Sequence, residues 1–180
     1  MEIELAAPLS KLSFLVIDDN TNMIQIVKTI LKNFGAIRVF DATDVAEAFA
    51  LVRQQPIDLV FLDYQLGFMD GIEFIRMMRT APDSPNPYLP IIMLTAHTEL
   101  HRVQTARDAG ATEFCAKPVT AMEIYRKIAE VIERPRKFVR TETYCGPDRR
   151  RHQIEFSGPE RRRDRIADPV DTSASALKAG

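Results

Sequence analysis

The sequence predicts a doubly wound α/β domain, (βα)5, in which a five-stranded parallel sheet is covered by helices on both faces. Three observations carry that prediction. Short apolar runs alternate with longer segments of helical period. The runs are apolar throughout instead of alternating, as strands buried on both faces require. Glycines stand where helices should end, at Gly35 and Gly110.

The apolar runs are "FLVID" (14–18), "IRVFD" (37–41), "DLVFLD" (58–63), "PIIMLTA" (90–96) and "TEFCAKP" (112–118). After the first, Ile24, Val27, Ile30, Leu31 and Phe34 fall at three-to-four spacing, the signature of one helix face. After the second, Ala46, Phe49, Ala50 and Arg53 with its apolar stem do the same. Ile72, Ile75 and Met78–Arg79 follow the third run, and Ile124, Ile128, Val131 and Ile132 the fifth. The proline-rich stretch 81–90, "APDSPNPYLP", reads as a surface connector. Pro135 should stop the last helix soon after Glu133. The predicted layout is therefore a globular domain over 10–133, a linker over 134–143, an arginine-rich segment over 144–167 and a disordered end over 168–180.

Charge separates the two parts. Of the 180 residues, 1–133 carry 12 Lys/Arg and 18 Asp/Glu, a net of −6, whereas 134–180 carry 12 and 7, a net of +5. An acidic body with a basic extension points to an anionic partner for the extension. The opening "MEIELAAPLSKL" lacks the basic and apolar regions of a secretion signal, and no apolar run approaches the ~20 residues of a membrane helix. Cys115 falls in a core strand and Cys145 in the extension, so no structural disulfide and a cytoplasmic setting are expected.

In a doubly wound sheet, ligands gather beyond the carboxyl ends of the strands. The residues at those ends are Asp18 and Asp19, Asp63, Thr95, and Lys117-Pro118. An aspartate there often only caps the next helix, and Thr95 alone would be a turn residue. All five on one edge make a different case. Three carboxylates in one crevice repel one another unless a cation lies among them, and their hard oxygens suit Mg2+. Lys117 adds a point charge and Thr95 a hydroxyl donor. Such a cluster is able to hold a phosphoryl group while a carboxylate attacks phosphorus.

The stretches "VIDDN", "VFLDYQLGFMDGIEF", "IIMLTA" and "EFCAKP" resemble the CheY-like receiver domains of two-component response regulators, a flavodoxin-like fold, over about residues 10–133. The resemblance implies phosphorylation of Asp63 by a histidine kinase. It implies Mg2+ held by Asp18, Asp19, Asp63 and the backbone carbonyl of Gln65, with Thr95 and Lys117 sensing the phosphoryl group. It also implies a switch role for Phe114 and a cis Lys117–Pro118 peptide. One departure is visible. Gly67 stands where the family usually has proline, which loosens the loop after Asp63 without removing a reacting group.

The extension repeats itself. Tyr144-Cys145-Gly146-Pro147-Asp148-Arg149-Arg150-Arg151 is echoed twelve residues later by Phe156-Ser157-Gly158-Pro159-Glu160-Arg161-Arg162-Arg163. A solvated basic tail, or a nonspecific grip on nucleic acid, explains the arginines. It explains neither the Gly-Pro nor the acid before each triplet, since a polyanion binder would gain by losing Asp148 and Glu160. The combination suits guanine. A guanidinium fork bonds O6 and N7, a carboxylate accepts from N1 and N2, and Tyr144 and Phe156 stack. Two such units match cyclic di-GMP, which has two guanines and two phosphates.

A receiver followed by this phrase resembles the Cle proteins, cyclic di-GMP effectors of aquatic alphaproteobacteria. The resemblance implies docking on the flagellar motor switch protein, with recruitment from the cytoplasm to the motor, to tune motility. The extension has too little apolar content for a helix-turn-helix core, so no standard DNA-binding domain is expected. Nor is an enzyme expected: acidic α/β phosphatases use D-x-D, and Tyr64-Gln65 follow Asp63 without a second carboxylate. The competing reading is a phosphoryl-accepting receiver whose basic tail binds nucleic acid or an acidic protein.

Overall fold

The computed structural model describes residues 9–67, 69–96, 100–141 and 144–148. After a short 3-10 turn at Leu9–Lys11 come β1 (Ser13–Ile17), α1 (Thr21–Asn33), β2 (Arg38–Ala42), α2 (Val45–Gln54) and β3 (Leu59–Asp63). Two short strands, β4 (Gln65–Leu66) and β5 (Met69–Asp70), precede α3 (Gly71–Thr80). Then follow β6 (Ile91–Thr95), α4 (Leu100–Ala109), β7 (Glu113–Ala116) and α5 (Ala121–Glu133), and finally β8 (Phe138–Arg140) and β9 (Cys145–Pro147). The main sheet has the order β2-β1-β3-β6-β7 with every pair parallel, the doubly wound arrangement expected.

The period of two along each strand divides the core. Leu15, Ile17, Val60, Leu62, Ile91 and Met93 pack with α2, α3 and Ala106 of α4. Phe14, Val16, Leu59, Phe61, Ile92 and Leu94 face α1 and α5 on the other side. Each such fully buried side chain contributes about 1.5–3 kcal/mol relative to exposure. Gly35 and Gly110 hold φ of 90° and 108° at the ends of α1 and α4, the left-handed conformation a helix C-terminus favours.

Three local readings are corrected. The buried face of α2 is Val45, Ala48, Phe49 and Val52, whereas Ala46 and Ala50 are exposed. Alanine is compatible with either face, and Val45 and Val52 decide which one turns inward. The proline-rich stretch 81–90 is more than a surface connector, because Leu89 is fully buried and the carbonyls of Pro87 and Leu89 accept from Arg79. The third concerns the predicted linker, 134–143, and the first residues of the extension. Within 134–147, β8 and β9 form an antiparallel hairpin, pairing Val139 with Gly146 and Arg140 with Cys145.

The hairpin is seated on the body through glycine and arginine. A Cβ on Gly146 would lie 2.8 Å from the Cα of Gly110, so only glycine permits this approach. Arg79, 1% exposed, donates to the carbonyls of Gly110, Pro87 and Leu89 at 2.9–3.1 Å, and its guanidinium lies 5.1 Å from the ring of Phe138. Burial lowers the Arg79 pKa to about 10, still charged at neutral pH. Tyr88 meets Phe138 edge-on at 5.5 Å. The Asp148 amide donates to Lys137 O at 2.6 Å, and Arg136 donates to Thr112 O and Asp148 O. The expected disordered end, 168–180, lies outside the described residues.

Cys115 and Cys145 are both buried free thiols. Burial pushes the Cys115 thiol from 9.0 up to about 11. The unfolded chain therefore loses this proton first as pH rises, and stability is expected to fall between pH 9 and about 11. Cys115→Ala should flatten that part of an alkaline thermal-unfolding series. An unchanged slope would show that the thiol ionises equally in both states.

Candidate functional site

The carboxyl ends of β1, β3, β6 and β7 meet at one edge of the sheet, and the predicted residues come with them. Asp18 follows β1 with 0% exposure, accepting from the Asn20 amide at 2.9 Å. Asn20 is itself the cap of α1, accepting from the amides of Asn22 and Met23. The simple capping explanation for the paired aspartates thus fails, because the next residue supplies the cap. Asp19 is exposed and accepts from the Gly67 amide at 2.9 Å.

Asp63 closes β3, and the turn after it is tight. A Cβ on Gly71 would come within 2.3 Å of the Asp63 carbonyl oxygen, so α3 starts directly against the strand end. One ligand atom from each of Asp18, Asp19 and Asp63 lies within 4.8 Å of the others. This close set of hard oxygen donors, part buried and part open to water, fits a partly hydrated Mg2+. Gln65, whose carbonyl the family resemblance assigns to the same ion, lies in β4, paired with Asp70 of β5.

Lys117 joins the set from the opposite side. Its Nζ donates to Asp63 Oδ1 at 2.8 Å and to Asp18 Oδ2 at 3.0 Å. Burial opposes its charge, but the bonds to Asp63 and Asp18 outweigh burial, and its pKa rises above the ordinary lysine value. Asp63 is raised above the ordinary carboxylate value, by burial first and with Asp18 adding to it against the bond from Lys117. Thr95 ends β6, and its carbonyl accepts the Lys117 amide at 2.8 Å. The Lys117–Pro118 peptide is cis. Phe114 is half-buried on the edge strand β7, packed against the α2–α4 side of the core.

Beside the crevice lies an open polar pocket of about 390 Å3, lined by Tyr64, Gln65, Gly67, Met69, Asp70, Glu73 and Arg102. The Arg102 guanidinium lies 5.3 Å from the centre of the Tyr64 ring. Sequence reasoning missed this wall, since no spacing joins residue 102 to residue 64.

The first copy of the repeated phrase is described only through Asp148. Tyr144 is half-buried, and its hydroxyl donates to Pro147 O at 2.7 Å. Gly146 and Pro147 are buried in the hairpin. Arg149, Arg150, Arg151, Phe156, Gly158, Pro159, Glu160, Arg161, Arg162 and Arg163 lie outside the described residues. Among the described residues no helix is long and apolar enough to cross a membrane.

A five-stranded parallel sheet with three aspartates and a lysine converging at its carboxyl edge defines a receiver domain. The family described as "Response regulator receiver domain" matches residues 14–129, and the chain belongs to that family. Chemotaxis protein CheY-3 of Vibrio cholerae is 28% identical over 68% of this chain and 93% of its own length. Chemotaxis protein CheY of Pseudomonas aeruginosa is 28% identical over 68% of this chain and 98% of its own. Among solved structures, Vibrio cholerae CheY4 superimposes with a TM-score of 0.62 at 28% identity, covering 67% of this chain and 98% of that one. The receiver domain of NtrX from Brucella abortus gives 0.61 at 27% identity, over 68% and 99%. The family match ends at residue 129, before the extension.

Proposed function

We propose that this chain is a CheY-like signalling effector with two inputs: a phosphoryl group on Asp63 and cyclic di-GMP on the arginine-rich extension. Its output is docking on a flagellar motor switch protein, which recruits it from the cytoplasm to the motor and tunes motility. The observation that carries the first input is Lys117 bridging Asp63 and Asp18 at 2.8 and 3.0 Å beside the clustered carboxylates.

Asp18, Asp19, Asp63 and the carbonyl of Gln65 would hold Mg2+, which offsets the charge on phosphoryl oxygens when bound. An Asp63 oxygen forms the new P–O bond as the P–N bond of a kinase phosphohistidine breaks, and the departing imidazole nitrogen takes a proton. Lys117, released from Asp63, pairs with the phosphoryl oxygens, and the Thr95 hydroxyl donates to them. The Phe114 side of α4, β7 and α5 is the face proposed to meet the motor switch.

The doubled phrase supports the second input. The acids Asp148 and Glu160 read guanine edges, while Arg149–Arg151 and Arg161–Arg163 bond bases and phosphates. Phe156 supplies a stacking ring, and the Tyr144 ring does so from its place beside the hairpin. Cyclic di-GMP strengthens motor docking to the extent that it binds the docked arrangement more tightly.

Calorimetric titration of the full chain with cyclic di-GMP and with single-stranded DNA, each at two salt concentrations, tests the reading. Saturable cyclic di-GMP binding that survives the higher salt is expected. Steeply salt-dependent DNA binding without it would favour the polyanion-binding tail.

A further inference from the structure

We propose that Gly67 is a positioning residue for the cation site, its backbone amide holding Asp19 in place. The inference rests on the reading of Asp18, Asp19 and Asp63 as the Mg2+ site. The three carboxylates are not held alike. Asp18 is fully buried between the Asn20 amide and Lys117 Nζ, and Asp63 is buried against Lys117. Asp19 is exposed, and the Gly67 amide reaches it at 2.9 Å from 48 residues away in the chain. An exposed carboxylate left to itself samples several rotamers, and fixing it in the crevice would cost a cation part of its binding free energy. The Gly67 amide meets that cost in advance by tying the β1–α1 loop to the loop after β3. A carboxylate has about four lone-pair sites, so the amide bond and a cation are accommodated together.

Two properties of residue 67 make the bond available. It has an N–H, and its φ is +61°, in the left-handed region. Proline has neither, since its ring fixes φ near −65° and removes the donor. Space does not demand glycine, because a Cβ would have no neighbour nearer than Asp19 Oδ2 at 3.9 Å. Asparagine tolerates the left-handed region and keeps the amide. The departure from the family's usual proline is thereby more than a looser loop: it supplies a hydrogen-bond donor to a metal ligand. Partners of this kind typically change metal affinity by about 10–100-fold when removed.

The test is calorimetric titration of the full chain with Mg2+ alone, for the wild type, Asp19→Asn, Gly67→Asn, Gly67→Pro and the double variant Asp19→Asn/Gly67→Pro. Gly67→Pro is expected to weaken Mg2+ binding at least ~10-fold. Gly67→Asn should remain within about 2-fold of wild type, and Gly67→Pro should add nothing once Asp19 is neutralised. Circular dichroism without Mg2+ reports whether Gly67→Pro is folded. If it is not, amide exchange decides: the Gly67 amide of wild type should be protected, and Asp19→Ala should expose it. Wild-type Mg2+ affinity in a folded Gly67→Pro, or a Gly67 amide that exchanges freely, overturns the proposal. If Asp19→Asn itself leaves Mg2+ affinity unchanged, the cation-site reading fails and takes this inference with it. Loss in Asp19→Asn without loss in Gly67→Pro removes the inference alone.

Discussion

Asp63→Asn is expected to abolish labelling by small phosphodonors and by beryllofluoride with Mg2+, with the fold unchanged. The amide is nearly isosteric with the carboxylate but is no nucleophile toward phosphorus. The packing around it, with α3 starting at Gly71 against the Asp63 carbonyl, does not depend on the carboxylate oxygens. Lys117 keeps its 3.0 Å bond to Asp18 in the variant, so the lysine is not left as an unpaired buried charge. Mass spectrometry after acetyl phosphate, and fluorine resonances of the beryllofluoride adduct, both read the loss. Labelling equal to wild type would place the acceptor elsewhere.

Removing either arginine triplet is expected to cost far more than half of the binding free energy for cyclic di-GMP. Each half must be ordered against a ligand that neither half fills alone. Single changes at Arg149 or Arg161 to alanine should weaken binding ~10-fold or more, taking a bidentate base contact as roughly 1–3 kcal/mol. Asp148→Ala separates the two readings by sign. A polyanion-binding tail gains by losing the negative charge, whereas a guanine reader loses an acceptor. The hairpin keeps the backbone at residue 148 in place in the variant. Asp148 is tied to Lys137 and Arg136 through its own amide and carbonyl, which alanine retains. Tighter binding of cyclic di-GMP by Asp148→Ala would defeat the guanine-edge assignment.

The central sheet was legible because β1, β3 and β6 are buried on both faces, and a run such as "DLVFLD" has few other uses. The site was legible for a related reason: strand ends in a doubly wound fold fix where Asp18, Asp63, Thr95 and Lys117 arrive. The hairpin was not. Cys145-Gly146-Pro147 has two residues depleted from strands, and "TETY" between the strands carries no Asn-Gly or Asp-Gly turn. Arg79 stood on the apolar face of its helix in the sequence, yet nothing local announced that backbone carbonyls from Pro87, Leu89 and Gly110 would surround it. The pairing of Gly67 with Asp19 was hidden in the same way. It is a backbone donor meeting a distant side chain, and no residue type encodes it.

The hairpin also relocates the point from which the extension departs. A plain linker would release the chain at Glu133, but the chain is pinned again at Asp148, beside Thr112 at the amino-terminal edge of β7. Asp63 stands at the opposite edge, the carboxyl end of β3. Five residues of strand span about 16 Å. Between the root of the extension and Asp63, therefore, lies a full strand length of packed core, too far for direct side-chain contact. The α4–β7 connection joins the two ends: Gly110 bears the hairpin at its start, and Lys117 closes the acidic crevice just past β7.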